Sequence, residues 1–295
     1  MSVTAEAVRQ LRERTAAGMM ECKRALVETN GDLDAAAELM RKQGLAKADK
    51  KATRIAAEGV IATARADDGR AAVLVEINCE TDFVGRGEEF GAFAAAVAAI
   101  ALTAKPADVD ALLAAKLPGG ETVDESRRAL IAKLGENISL RRFVRVESAG
   151  ELGSYLHGTR IGTLVAIDGG DAALARDLAM HVAASNPRYL SAAEVPAAEA
   201  AKEREILIEQ ASNEGKPPEI VAKMVEGRLR KQLAEITLMG QPFVKDPEVS
   251  IEKLLKGAKA RVTRYERLEV GAGIEKKQDD FVAEVMAQAK GSGGR

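Results

Sequence analysis

Two histidines, His157 and His181, and two cysteines, Cys22 and Cys79, stand far apart in this sequence of 295 residues. The four cannot compose a usual structural zinc site, which needs closely spaced ligand pairs. Cys79 beside either histidine would suit nucleophilic catalysis, but no local pattern supports that pairing. Phosphate-cradling loops also fail. Gly85-Arg86-Gly87-Glu88-Glu89-Phe90 has Phe where a dinucleotide loop needs its third glycine, and its two carboxylates would repel a pyrophosphate. Gly215-Lys216 runs into Pro217, and Gln210 stands where a phosphate loop needs its upstream glycine. No direct nucleotide binding and no cofactor are expected.

The segment with most chemical content is Asn78-Cys79-Glu80-Thr81-Asp82-Phe83-Val84-Gly85. It falls where a strand ends and a helix begins. One reading is a capped helix, with Thr81 or Asp82 as the cap and Phe83 packed as a hydrophobic staple. The other is an exposed tip that sets an acid beside a rigid aromatic, fit to enter a partner's pocket and compete for its metal or phosphate contacts. Met19-Met20 carries a similar choice between core filling and an adaptable binding surface. The basic run Arg41, Lys42, Lys47, Lys50, Lys51 and Arg54, against Asp49 alone, reads as a solvated face or as a contact for an acidic partner.

The elements that position these residues follow from periodicity. Residues 1–44 predict three short helices: Val8 and Leu11 mark the first, Cys22, Ala25 and Leu26 the second. Leu33, Ala36, Ala37 and Met40 stripe the third, with Asp32 as its cap and Gly44 just past its end. Residues 45–57 then read as a charged connection. Val60–Ala64 and Ala72–Ile77 flank Asp67-Asp68-Gly69, a hairpin signal. A helix from about Glu88 buries Phe90, Phe93, Ala94, Val97, Ala98 and Ala101, and Pro106 ends it. The same order returns later: a hairpin over Tyr155–His157 and Ile161–Ile167, then a helix over Asp171–Ala184. Strand pair, turn and helix thus occur twice, which predicts an α+β fold with a duplicated core and antiparallel sheets. Residues 191–239 read as an inserted helical hairpin broken at Asn213–Pro218. A short helix follows over Ser250–Lys256, a strand over Arg261–Val270, and an amphipathic helix over Gln278–Lys290 with Phe281 on its apolar face. The expected division is 1–54 for the bundle, 55–146 for the first core unit, 147–190 with 240–272 for the second, 191–239 for the hairpin and 273–295 for the terminal helix.

Composition sets outer limits. Lys and Arg total 43 and Asp and Glu 45, so the net charge of −2 gives no global attraction to DNA or an anionic membrane. Aromatics are 3% and Trp is absent, so aliphatic residues must build the core. Two distant cysteines fit a reducing compartment, and the cytoplasm is expected. The longest uncharged stretch, Phe90–Ala104, is too short to span a bilayer.

Several stretches together resemble the bacterial translation elongation factor Ts family. They are Leu11–Lys23, Asn78–Val84, His157–Gly162, Met180–Ser185, Met224–Arg228, Gly240–Val244 and Gly273–Lys276, in order along nearly the whole chain. The resemblance implies a ubiquitin-associated-like N-terminal bundle, a duplicated core, an inserted coiled-coil hairpin and a C-terminal helical module. It implies a factor that is not itself an enzyme and that promotes guanine-nucleotide exchange on the GTPase elongation factor Tu. On the matching positions, Thr81, Asp82, Phe83 and Val84 fall in the wedge that disturbs the partner's Mg2+ site. Arg12, Met19 and Met20 match contacts to the same G domain, His157 and Val244 contacts elsewhere, and Phe281 a brace against a G-domain helix. Lys245 departs from an apolar position, and the loop Leu117–Val123 is longer than in a familiar relative, with a surface position expected. The hairpin could dimerise or touch the partner, so a homodimer or a two-to-two complex stays open. So does an adaptor that only binds through its N-terminal bundle.

Overall fold

The computed structural model describes residues 3–15, 17–212 and 217–275, without the side chains of 45–49 and 212. Helices α1 (Ala5–Thr15), α2 (Met19–Glu28) and α3 (Leu33–Lys51) come first. Val8, Leu11, Cys22, Ala25, Leu26 and Ala36 close a small core among them. The Asp32 carboxylate caps α3 by accepting from the N–H groups of Asp34 and Ala35.

The first core unit follows. Strands β1 (Glu58–Arg65) and β2 (Ala71–Cys79) pair antiparallel, with Glu58 opposite Cys79. A single turn α4 (Asp82–Gly85) leads into α5 (Glu88–Ala104), α6 (Val109–Ala114) and α7 (Val123–Leu134). Strand β3 (Ile138–Glu147) then joins the free edge of β2, giving the order β1-β2-β3. The second unit repeats the plan. Strands β4 (Glu151–His157) and β5 (Ile161–Asp168) precede α8 (Ala172–Ser185). The inserted hairpin is α9 (Ala197–Ser212) and α10 (Pro218–Ile236). Then come β6 (Pro242–Phe243), β7 (Asp246–Ser250), α11 (Ile251–Gly257) and β8 (Arg261–Glu269), which completes the order β4-β5-β8.

Side-chain alternation in the middle strands explains the layering. Val73, Val75, Ile77 and Cys79 of β2 face α5 with Phe90, Phe93 and Val97. Val165 and Ile167 of β5 face α8 with Leu178 and Val182. The opposite faces, with Ile61, Ala72 and Leu74 from one sheet and Leu152, Leu164 and Leu268 from the other, pack on each other. The layers run helix, sheet, sheet, helix. At Gly162 a Cβ would lie 2.6 Å from the Ile61 side chain, so the missing side chain lets the sheets approach. The hairpin keeps a seam of its own through Leu207, Ala211, Val225 and Leu229.

Three sequence expectations need correction. Helix α3 does not stop at Gly44 but runs on to Lys51. Glycine costs only about 1 kcal/mol inside a helix. Here it also serves contact, since a Cβ on Gly44 would sit 3.1 Å from that of Ala132 on α7. The connection expected over 45–57 is therefore helical in its first half. Second, β3 and the helices α6 and α7 were not foreseen: Arg141, Arg142 and Arg145 mask the strand alternation. Third, the loop over 117–123 is at the surface only at its tip, Pro118–Glu121; Leu117 and Val123 are buried. The helix expected over 278–290, with Phe281, lies outside the described residues. No helix among the described residues is long and apolar enough to cross a membrane.

Candidate functional site

Strand β2 ends on Cys79, and the chain turns sharply there. The Cys79 thiol donates to the Thr81 carbonyl at 3.0 Å. Burial pushes this thiol up to about 12, helped by the nearby carboxylates of Glu136 and Glu58. It therefore stays protonated near neutrality and is no nucleophile. It packs in the α5-side core, whereas His181 sits on α8 and His157 at the end of β4. A Cys–His pair is not assembled.

Thr81 has extended backbone, and its hydroxyl oxygen accepts from the Val84 N–H at 3.5 Å as the cap of α4. Both donors of Thr81 go to one carboxylate: its N–H to Glu136 at 3.0 Å and its O–H at 2.6 Å. The neighbouring Glu80 carboxylate accepts from the Asn137 N–H at 2.6 Å and lies 3.5 Å from Arg54. Asn137 in turn donates to the carbonyls of Ala52 and Arg54. The base of the turn is thus tied to the α7–β3 connection and to the end of α3.

The cap foreseen at Thr81 is present, but Phe83 is not a staple. It is 85% exposed. Helix α4 is one turn long and brings no neighbour over that face. Leaving a Phe side chain in water forgoes roughly 2 kcal/mol of burial, which only a contact from outside the chain could recover. Val84, on the inner side, packs against the α5-side core. Asp82 forms an ion pair with Arg86 at 3.0 Å. An open groove of about 390 Å³ runs beside the tip, lined by Glu58, Thr81, Asp82, Phe83, Arg86 and Arg160. Arg160 belongs to the β4–β5 turn and pairs with Glu58 at 2.6 Å. In the same turn the Thr159 carbonyl accepts from the Ile61 N–H at 2.7 Å. The second core unit therefore flanks the tip, and exposed His157 stands just before that turn.

The other candidates are spread over the surface. Arg12 is exposed on α1, and Met19 and Met20 are 58% and 67% exposed in the first turn of α2, so they do not fill the bundle. Val244 is half-exposed between β6 and β7. Its N–H donates to His181 Nδ1 at 3.2 Å. Gln241 fixes that arrangement. Its amide donates to the carbonyls of Ser185 and Glu235, which leaves its oxygen to accept from His181 Nε2 at 3.0 Å. The imidazole is then neutral, and its Nδ1 lone pair is the one that accepts from the Val244 N–H. Burial lowers its pKa below the ordinary value, against the pull of Gln241. Lys245 turns away to Asp177 on α8 at 2.6 Å. Of the basic run, Lys42 pairs with Glu38, Lys51 reaches the Gly135 carbonyl and Arg54 reaches Glu80.

Sequence reasoning missed Arg86, Glu136, Asn137, Arg160 and His181. Glu136 and Thr81 are 55 residues apart, and nothing periodic links them.

The family model described as Elongation factor TS matches residues 80–272. Elongation factor Ts of Alkalilimnicola ehrlichii is 59% identical over 293 residues, 99% of this chain and 100% of that one. Those of Halorhodospira halophila and Thioalkalivibrio sulfidiphilus are each 58% identical, over 99% of this chain and all of theirs. The family model takes in the turn at Thr81–Val84, the second core unit and the hairpin, the relatives span nearly the whole chain, and the chain belongs to the elongation factor Ts family.

Proposed function

We propose that this chain is a guanine-nucleotide exchange factor for elongation factor Tu, acting in translation elongation in the cytoplasm without itself making or breaking covalent bonds. The observation that carries the reading is Phe83, 85% exposed beside Asp82 on a braced turn. The GTPase holds its nucleotide through Mg2+ and through backbone amides of its phosphate loop. A wedge that enters beside that metal weakens the grip without touching the nucleotide. Exchange requires only that the factor bind the empty partner better than the loaded one. Coupling is reciprocal, so incoming GTP loosens the factor by the same ratio and lets it leave. The factor speeds both directions, and the excess of GTP over GDP sets the net one.

Stopped-flow release of fluorescent GDP from elongation factor Tu tests this. Phe83→Ala and Asp82→Ala are each expected to slow stimulated release, and Phe83→Ala by about thirtyfold if it is a hot spot of about 2 kcal/mol. Unchanged far-UV circular dichroism would show the fold intact. Exposed Met19 and Met20 favour a second reading, an adaptor that binds through the bundle alone. An adaptor binds the GTPase yet leaves GDP release at its spontaneous rate, so the unmodified chain decides between the two. Wild-type release from the double variant would remove the wedge.

A further inference from the structure

Val84 packing alone does not fix the direction of the exposed side of the tip. Helix α4 is a single turn, and one turn of helix is unstable alone because nucleation costs more than its few bonds return. Phe83, mostly in water, has no packing to hold it. Val84 anchors the inner side of the turn on the core, and the outer side that carries Phe83 needs a restraint from outside residues 82–85.

Thr81 is where it enters, and Glu136 supplies it. One carboxylate takes both Thr81 donors, the N–H at 3.0 Å and the O–H at 2.6 Å. Bonds to an ionised acceptor are the stronger kind. With its proton committed to Glu136, the Thr81 hydroxyl turns its lone pairs to the Val84 N–H, so the carboxylate also sets the cap. Glu136 is itself held. It follows Gly135, the left-handed end of α7, whose N–H returns to the Ile131 carbonyl and whose carbonyl accepts from Lys51. It precedes Asn137, whose N–H donates to Glu80. The two segments trade rungs: the carboxylate of 136 accepts from the backbone of 81, and the carboxylate of 80 accepts from the backbone of 137.

We propose that Glu136 is the positioning residue of the Asp82–Phe83 tip, orienting through Thr81 an aromatic that it does not touch. The inference rests on the exchange reading above. These bonds lie at a partly exposed edge of the first unit, so their loss loosens the tip more than the core.

The test uses the full chain with 4-fluorophenylalanine at position 83, and elongation factor Tu loaded with fluorescent GDP. In the free chain, Glu136→Ala is expected to narrow the fluorine line toward that of the free amino acid. Glu136→Gln keeps one of the two acceptor oxygens and should restore part of the parent width. In exchange titrations, Glu136→Ala should lower the plateau release rate about tenfold, as misplacement of a working group does, with a smaller change in the half-saturating concentration. Glu136→Gln should recover part of that loss, and adding Thr81→Ala to Glu136→Ala should cost less than the two separate losses combined. A parent-like fluorine line in Glu136→Ala overturns the proposal. So does a narrowed line with an unchanged plateau, or a Glu136→Gln variant as impaired as Glu136→Ala. If Phe83→Ala itself leaves GDP release unchanged, the exchange reading has failed, while the fluorine line still reports whether Glu136 holds the tip.

Discussion

The two core units leave their middle strands by different routes. Strand β2 passes to α5 through residues 80–87, which make a one-turn helix, two carboxylate-to-backbone rungs and an exposed Phe83. Strand β5 passes to α8 through Gly169, Gly170 and Asp171, a tight turn with φ of 76° and 72° at the glycines and one aspartate cap. Both routes end at a helix packed on the outer face of a three-stranded sheet. The sheet does not require the longer one. The scaffold occurs twice, and only one copy of the equivalent corner carries a braced turn with an exposed aromatic.

A second difference lies inside the strands. Both middle strands shift register at the corresponding place, after Glu76 in β2 and after Ala166 in β5. Glu76 faces the space between the sheets and is fully buried. It binds Arg142 at 2.5 Å, Arg141 at 3.0 Å and the Gly271 N–H at 2.8 Å. Burial would raise its pKa, but these donors outweigh it and hold the carboxyl below the ordinary range. Ala166 lies opposite Arg264 as Glu76 lies opposite Arg142, yet Arg264 turns to Glu266 on its own strand. One unit uses the position to tie down the chain after β8; the other fills it with a methyl group.

The comparison can be broken in three ways. Glu76→Ala strands two guanidinium groups and an amide, so a loss of about 3 kcal/mol is expected in urea unfolding. Half-exposed arginines can reach water, which places the value at the low end of that class. A loss as small as a surface substitution would make the carboxylate no more important than Ala166. Gly169→Ala puts a Cβ 2.3 Å from the Lys259 carbonyl oxygen at positive φ. It should cost about 2 kcal/mol of stability from strain and clash together and leave GDP release alone. An exchange defect there would mean that the plain corner also works. The smallest effect concerns His181. Its folded pKa is depressed, so the unfolded chain binds the extra proton first. Stability is then full above the unfolded value near 6.5 and falls as pH drops below it, by at most about 1.4 kcal/mol per pH unit. Differential scanning calorimetry from pH 7.5 to 5 should show this slope, and His181→Asn should flatten it. An unchanged slope would mean that another group titrates.

What was legible in the sequence was whatever a period or a cap could carry. The stripe Phe90, Phe93, Val97 and Ala101 and the Asp32 cap name their elements directly. Strand β3 was not legible, because its arginines read as solvent-facing until Glu76 is known to lie beneath two of them. Gly44 looked like a stop, and only the approach of Ala132 explains why it is not. At the site, cap chemistry marked Thr81, but the exposure of Phe83 depends on how short α4 is. The Glu136 brace was beyond reach, since it arises from two loops meeting across the fold.

The passage of α3 through Gly44 has a mechanical consequence. The helix that carries the bundle lies along α7, and at its end Lys51 holds the Gly135 carbonyl while Asn137 binds Ala52 and Arg54. Met19 and Met20 on the bundle are thus joined to the unit that carries Phe83 through a continuous helix and these bonds. On the exchange reading proposed above, a partner that meets both places would have to present its two receptors at a matching separation, so that spacing as well as chemistry would select it.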